Sequence, residues 1–293
     1  LGNQWALIFN GKLNVKKLGA IGDLATDDTL PAKAAIIAVG ASGSGSPYFP
    51  AGKYKITSSL SCSPTNDISL LGDGVGLSQI RSTVAGSPTL LAGDHVGSET
   101  RTFSLDGLSI QYDGASPPVS GTVAIHARNI VSPSRLTNFS IQKFYDGLKL
   151  EATSLIGNIF ISDFTIGNTE SKGIHLLGGV QGVWIRTGKV TARQDGGSPV
   201  STSVGMQLDY CNGVYLDGLD LLLNGRGMLV TPSTGETVHW VFGNQVILDT
   251  NLGAGLDINP QGGTVNGFDF GTCWASSNGE IGVKIRGSSA SVV

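Results

Sequence analysis

From Thr122 onward the chain runs in short bursts of alternating apolar and polar residues, each opened by a glycine. A Gly-apolar-x-apolar unit recurs at Gly147-Leu148-Lys149-Leu150, Gly173-Ile174-His175-Leu176, Gly205-Met206-Gln207-Leu208, Gly227-Met228-Leu229-Val230, Gly255-Leu256-Asp257-Ile258 and Gly282-Val283-Lys284-Ile285. Thr122-Val123-Ala124-Ile125 is a variant, and the spacings from Thr122 to Gly282 are 25, 26, 32, 22, 28 and 27 residues. A second unit, apolar-x-x-apolar-x-apolar, interleaves with it from Leu105 to Ile110, Leu136 to Ile141, Ile161 to Ile166 and Leu216 to Leu221. Looser copies span Ile185 to Val190, Phe242 to Ile247 and Phe270 to Ala275. Strict alternation turns one face of each strand inward. A glycine ahead of each strand suits a sharp corner. The pattern predicts seven turns of a solenoid with two strands each.

Helical repeats would need a 3.6-residue period, which these short, glycine-broken segments lack. A parallel β-helix remains, an all-β fold in which each coil covers the unpaired edges of the last and inward Leu, Ile, Val and Phe form one apolar column. Such a column needs a cap. At the N-terminal end Thr26-Asp27-Asp28-Thr29 offers capping oxygens, Pro31 suits a first helical turn, and Ala32 to Val39 is apolar enough to cover the first coil. No equivalent follows Arg286. The expected organisation is a lead segment over 1–14, a capping helix and first coils over 15–80, and the central β-helix over 81–293.

Composition narrows the function classes. Only 14% of residues are charged, 19 Lys+Arg against 22 Asp+Glu, so no basic footprint for nucleic acid is present. The longest near-apolar stretch, Ala34 to Ala41, is far short of the ~20 residues that cross a bilayer. The chain begins at Leu1 with no basic stretch leading into an apolar run, so no secretory signal is read. Cys62, Cys211 and Cys273 form no CxxC pair, and no His/Cys cluster has metal-ligand spacing, so reduced thiols and no metal or cofactor are expected.

Val15-Lys16-Lys17-Leu18-Gly19-Ala20-Ile21-Gly22-Asp23, with Thr26-Asp27-Asp28-Thr29 and Ala34-Ala35-Ile36, resembles the opening of the pectate-lyase-like superfamily found in many phage tailspikes. Tyr48-Phe49-Pro50-Ala51-Gly52-Lys53-Tyr54-Lys55-Ile56 and Leu71-Gly72-Asp73-Gly74 continue the likeness, with Leu24 and Pro31 as departures. The resemblance implies a right-handed parallel β-helix, a homotrimer joined to other phage tail proteins, and action on bacterial surface polysaccharide or on plant-type polysaccharide. It carries no catalytic residues. The polygalacturonase motifs are missing, Asp27-Asp28 belonging to the cap, and so is the acidic cluster with which a pectate lyase binds calcium.

Stacking the repeats brings candidate chemistry together. The column before the second unit reads Ser104, Arg135, Phe160, Trp184, Tyr215, Val241, Asp269, in which Phe160, Trp184 and Tyr215 suggest a sugar-stacking ladder or, equally, a packing surface under a loop or subunit. Beside it lie Arg186 and Lys189, then Asp217 and Asp220. Those two carboxylates would stand roughly 10 Å apart on an extended strand, and a bulge would bring them toward the ~6.5–9.5 Å of an inverting glycosidase. Simple pairing with Arg186 and Lys189 competes with that reading. On the other strands Glu151 and Asp209 share a column two coils apart with His175 between them, a reserve pair against which solvated surface polarity must be weighed.

His95 and His126 are expected on the surface and His239 ahead of an inward Trp240. The insertion Arg193 to Val200 and the excursion Asp113 to Gly121 are expected to wall a groove, the first near Trp184 and Tyr215. The leading expectation is a tailspike-type protein on a virion tail that binds and depolymerises capsule or lipopolysaccharide, with hydrolysis slightly ahead of lyase chemistry. The alternatives are a non-catalytic receptor-binding or structural spike and a secreted polysaccharide lyase.

Overall fold

A computed structural model of the chain describes residues 11–42, 45–62, 67–93, 102–131, 133–153 and 156–287. His95 lies outside them. The chain winds as a parallel β-helix. Nine short strands, from Leu60–Cys62 through Asp146–Glu151, Lys172–Leu177 and Val204–Leu208 to Val283–Ile285, stack as one sheet. Longer strands stack as a second, and among the described residues the strands of successive coils pair in parallel.

The two strands expected per turn are three faces. Phe103–Tyr112, Ser134–Gln142, Ile156–Thr169, Val180–Ala192 and Cys211–Leu222 share a bend at Gly107, Asn138, Asp163, Thr187 and Gly218, whose φ values of 71°, 48°, 55°, 49° and 64° are left-handed; the last three strands have further left-handed residues, Gly182 and Gly213 among them. The two unconstrained positions of the second repeat unit are this corner. On either side, Leu136, Ile161, Ile185 and Leu216 stack inward, as do Ile141, Ile166, Val190 and Leu221, all at most 2% exposed. Each such side chain contributes about 1.5–3 kcal/mol by leaving water.

The repeated glycine has a cause other than the expected corner conformation. None of Gly147, Gly173, Gly205, Gly227 and Gly255 has a positive φ. A Cβ on them would stand 2.6, 2.6, 2.6, 2.5 and 2.7 Å from the carbonyl oxygen of the equivalent glycine one coil further on. The column is bare because two backbones meet there.

The expected cap forms as helix Thr29–Ser42, whose Ala32, Ala35, Ile36 and Val39 are buried. Its carboxylates are staples: Asp27 Oδ1 accepts from Thr29 N at 3.0 Å, while Asp28 accepts from Ile21 N and Gly22 N at 2.7 and 3.0 Å. The end of the lead segment joins the solenoid directly, Lys12–Asn14 pairing with Ser46–Tyr48. At the far end Val283 and Ile285 occupy the inward register of Leu256 and Ile258 but are 48% and 59% exposed.

Two placements differ from expectation. Val241 is buried and Phe242 takes its outer position, because Gly243, not Phe242, opens the inward register of that coil. A Cβ on Gly243 would stand 2.6 Å from the Phe270 ring, so the position inward of Phe270 carries no apolar side chain to mark it. Trp240 points outward, 54% exposed, at a left-handed bend shared with Gly182, Gly213 and Gly267. Asp257 is 1% exposed, clamped between the guanidinium groups of Arg226 and Arg286.

Candidate active site

The outer face of the short-strand sheet carries the densest set of titratable groups. Parallel register aligns His126, Lys149, His175 and Gln207 in one column, and Arg128, Glu151 and Leu177 in the next. Asp209 follows strand Val204–Leu208, two coils beyond Glu151 as the repeat predicted. Alternation in each strand sends the intervening leucines inward and leaves these polar side chains on one surface.

His175 Nε2 lies 2.6 Å from Asp209 Oδ2, and Asp209 also accepts from Gln207 Nε2 at 2.8 Å and Thr231 Oγ1 at 2.7 Å. Glu151 is held in the same manner by His126 Nε2 at 2.9 Å and Lys149 Nζ at 3.1 Å, with Arg128 Nε at 3.8 Å. Burial pushes both carboxyls up. Hydrogen bonds and the charge of His175 pull Asp209 below its ordinary 3.8, and those of Lys149 and His126 pull Glu151 below 4.5. Both are therefore ionised acceptors at neutral pH.

An ionised Asp209 accepts only, so His175 presents Nε2–H to it, and in the neutral imidazole the lone pair then falls on Nδ1. Nδ1 has no hydrogen-bond partner among the described residues. A groove of 440 Å³ opens beside it, lined among others by His126, Asp146, Lys149, Lys172 and His175. The arrangement supplies an oriented base and ammonium groups over one surface.

The aromatic column is longer than expected but differently built. Phe160, Trp184, Tyr215 and Phe242 stack ring on ring, with centroids 4.9, 5.0 and 5.3 Å apart and planes within 17°. Arg135 closes the lower face of Phe160 at 4.9 Å. The rings use their faces on one another and offer edges to solvent. Each contact is worth about 0.5–1.5 kcal/mol, so the ladder is first a packing device. Above Phe242 the column continues as Asp269.

Asp217 and Asp220 fall on either side of the Gly218 corner and so occupy different faces. Asp217 accepts from Asn244 Nδ2 at 2.9 Å. It lines a shallow 390 Å³ depression with Tyr215, Phe242, Asp269 and Arg186, which does not include Asp220. Lys189 stands opposite Asp220, and Arg186 opposite Asp217, in register but without an ion pair among the described residues. Asp269 stands in the column where the repeat placed it, two coils beyond Tyr215, with Phe242 instead of Val241 between them.

The insertion after Arg193 forms a small hairpin, Gln194–Asp195 with Ser198–Pro199, at a different corner from Trp184 and Tyr215. Of the remaining histidines, His126 belongs to the groove and His239 contacts Asn266 Nδ2 at 3.1 Å. Cys62 and Cys211 are buried and Cys273 half-buried, all free; burial pushes the Cys62 thiol up to about 12. No group of three or more His, Cys, Asp or Glu among the described residues could hold a metal. No helix among them is long and apolar enough to cross a membrane.

Comparison with known proteins agrees with this architecture. The enzymatically active domain of tailspike protein 2 from bacteriophage CBA120 superposes with a TM-score of 0.61 at 14% identity, over 94% of this chain and 43% of that one. ORF18 of Geobacillus virus E2 gives 0.61 at 17%, over 93% and 60%. At these identities the likeness is one of fold. In sequence, the mannuronan C5-epimerases AlgE1 and AlgE4 of Azotobacter vinelandii are 36% and 34% identical over 124 and 119 residues. Those matches cover 38% of this chain in each case, but only 8% of AlgE1 and 21% of AlgE4. Residues 12–273 match the family model described as rhamnogalacturonase A/epimerase, pectate lyase-like. The entry module, the coil register and this match together make the chain a member of the rhamnogalacturonase A/epimerase, pectate-lyase-like family.

Proposed function

We propose that the chain modifies an acidic polysaccharide laid across the short-strand sheet, by removing the proton next to a uronate carboxylate. The observation that carries this reading is the His175–Asp209 pair opening onto a groove that also holds Lys149 and Lys172. His175 Nδ1 takes the proton. Lys149 and Lys172 offset the charge that develops on the carboxylate, and Asp209 stabilises the imidazolium that forms. The carbanion then either expels the sugar linked at the neighbouring carbon, whose oxygen takes a proton from solvent as a double bond forms, or regains a solvent-derived proton on its opposite face. Relatives named as C5-epimerases support this class of chemistry.

The test is incubation with uronate-containing and neutral bacterial polysaccharides in D2O. Near-ultraviolet absorbance reads elimination, and deuterium next to the carboxylate reads epimerisation. Either signal, lost in His175→Ala, is the expected result. New reducing ends from a neutral glycan, with no deuterium and no dependence on His175, would overturn it. That outcome is the second reading, hydrolysis at Asp217 and Asp269, which is supported by their shared depression. For the setting we assign a virion tail spike or secreted protein meeting bacterial capsule or lipopolysaccharide. A homotrimer is expected to sediment at three times the chain's 30.2 kDa.

A further inference from the structure

The loop Asp113 to Gly121 and the corner before the 193–200 insertion enclose a cavity of 310 Å³ that is separate from both sites above. Its floor is Tyr112, which is 4% exposed. The Tyr112 hydroxyl has no hydrogen-bond partner among the described residues, although the residue lines the cavity. The loop backbone crosses directly over it: a Cβ on Gly114 would lie 2.2 Å from Tyr112 Oη. The hydroxyl is thus a free donor and acceptor where Tyr112 meets the cavity.

The charges around this floor are unequally used. Asp113 is consumed by Arg81, which reaches its two oxygens at 2.7 and 2.8 Å. Arg193 is held by Glu170 at 2.7 Å. Lys143 projects from a left-handed corner, φ 66°, and makes no ion pair among the described residues. The cavity therefore presents one uncompensated cation and an unused hydroxyl donor beside the apolar surfaces of Ala115 and Pro118. Its volume sits at the lower end of the roughly 300–1,000 Å³ of small-molecule sites, room for one ring.

We infer that this cavity binds a single acidic sugar residue, its carboxylate on Lys143, a ring hydroxyl on Tyr112 and its C–H face against Ala115 and Pro118. The site stands apart from the groove, so it is tested in a chain without groove chemistry. The His175→Ala variant of the 293-residue chain is titrated with free glucuronate, glucose and inorganic phosphate, followed by calorimetry and ligand-observed NMR. Glucuronate is expected to bind, with glucose and phosphate each at least tenfold weaker. Lys143→Ala and Tyr112→Phe are each expected to lower glucuronate affinity about tenfold at unchanged melting temperature. Equal affinity for glucose or for phosphate overturns the inference, and so does glucuronate binding that survives both substitutions. Loss of activity in His175→Ala with glucuronate binding intact separates this site from the proposed reaction.

Discussion

His175 and Asp209 are 34 residues apart in the chain and 2.6 Å apart in space, because one coil of the solenoid lifts the second carboxylate onto the first imidazole. The contact fixes which nitrogen of His175 carries hydrogen. Asp209 is thus a positioning residue, and its replacement is expected to damage the base without emptying the groove. Asp209→Asn should lower kcat about 10²–10⁴-fold, the range that general-base catalysis supplies, with KM little changed. Nitrogen-15 shifts should report loss of the Nε2–H tautomer in that variant. A parental tautomer with reduced activity would mean that Asp209 acts otherwise.

The same carboxylates set an acid limb of stability. Asp209 and Glu151 both have folded-state values below their ordinary 3.8 and 4.5, so each binds protons more weakly folded than unfolded. Their contribution is complete above the unfolded values and disappears as pH falls through the folded ones, below about pH 4. The urea midpoint is expected to drop steeply from pH 4 toward pH 2. Asp209→Asn should flatten part of that slope while lowering the plateau at pH 7. An unchanged slope would show that the pair does not bias folding.

Much of this was legible in the chain because a solenoid converts sequence spacing into vertical distance. Gly147 through Gly282 fixed one sheet, and Glu151, His175 and Asp209 fell into neighbouring columns on spacing alone. The corner residues escaped notice: Asn138, Asp163 and Thr187 share no residue type, since a left-handed bend needs a conformation, not a particular side chain. That hidden corner is what parts Asp217 from Asp220. Phe242 was missed because Gly243 occupies the inward register without an apolar side chain, and a slip of one position exchanges inside for outside. Nor does a column of aromatics in sequence say whether rings face a ligand or one another, as Trp184 and Tyr215 do.

The bare glycine column makes a sharp stability prediction. Gly227→Ala would put a methyl 2.5 Å from the Gly255 carbonyl oxygen, a backbone atom that can move only if the next coil does. Overpacking of this kind costs about 1–3 kcal/mol. Gly40→Ala, on the capping helix with nothing within 4 Å of the new methyl, is the control. There the alanine should stabilise by up to about 1 kcal/mol. Urea midpoints moving in opposite directions confirm the close approach; equal midpoints reject it.

Further up the solenoid, Asn224, Asn251 and Asn278 form an interior ladder in which donor and acceptor cannot be exchanged. Asn251 Oδ1 accepts from Asn224 N at 3.0 Å, and its Nδ2 donates to Leu221 O at 3.1 Å and to Asn278 Oδ1 at 2.9 Å. Asn251 is 2% exposed, so every one of these bonds is made without water. Asn251→Ala strands the Asn224 N–H and the Leu221 carbonyl at about 1–3 kcal/mol each. Asn251→Asp is expected to be worse at neutral pH, because an ionised carboxylate would face two oxygens and hold a buried charge. Protonation restores one donor. The Asn251→Asp variant should therefore gain urea resistance as pH falls from 7 toward 4, while Asn251→Ala does not. A carboxylate variant as stable as the parent at pH 7 would mean that the ladder's direction carries no energy.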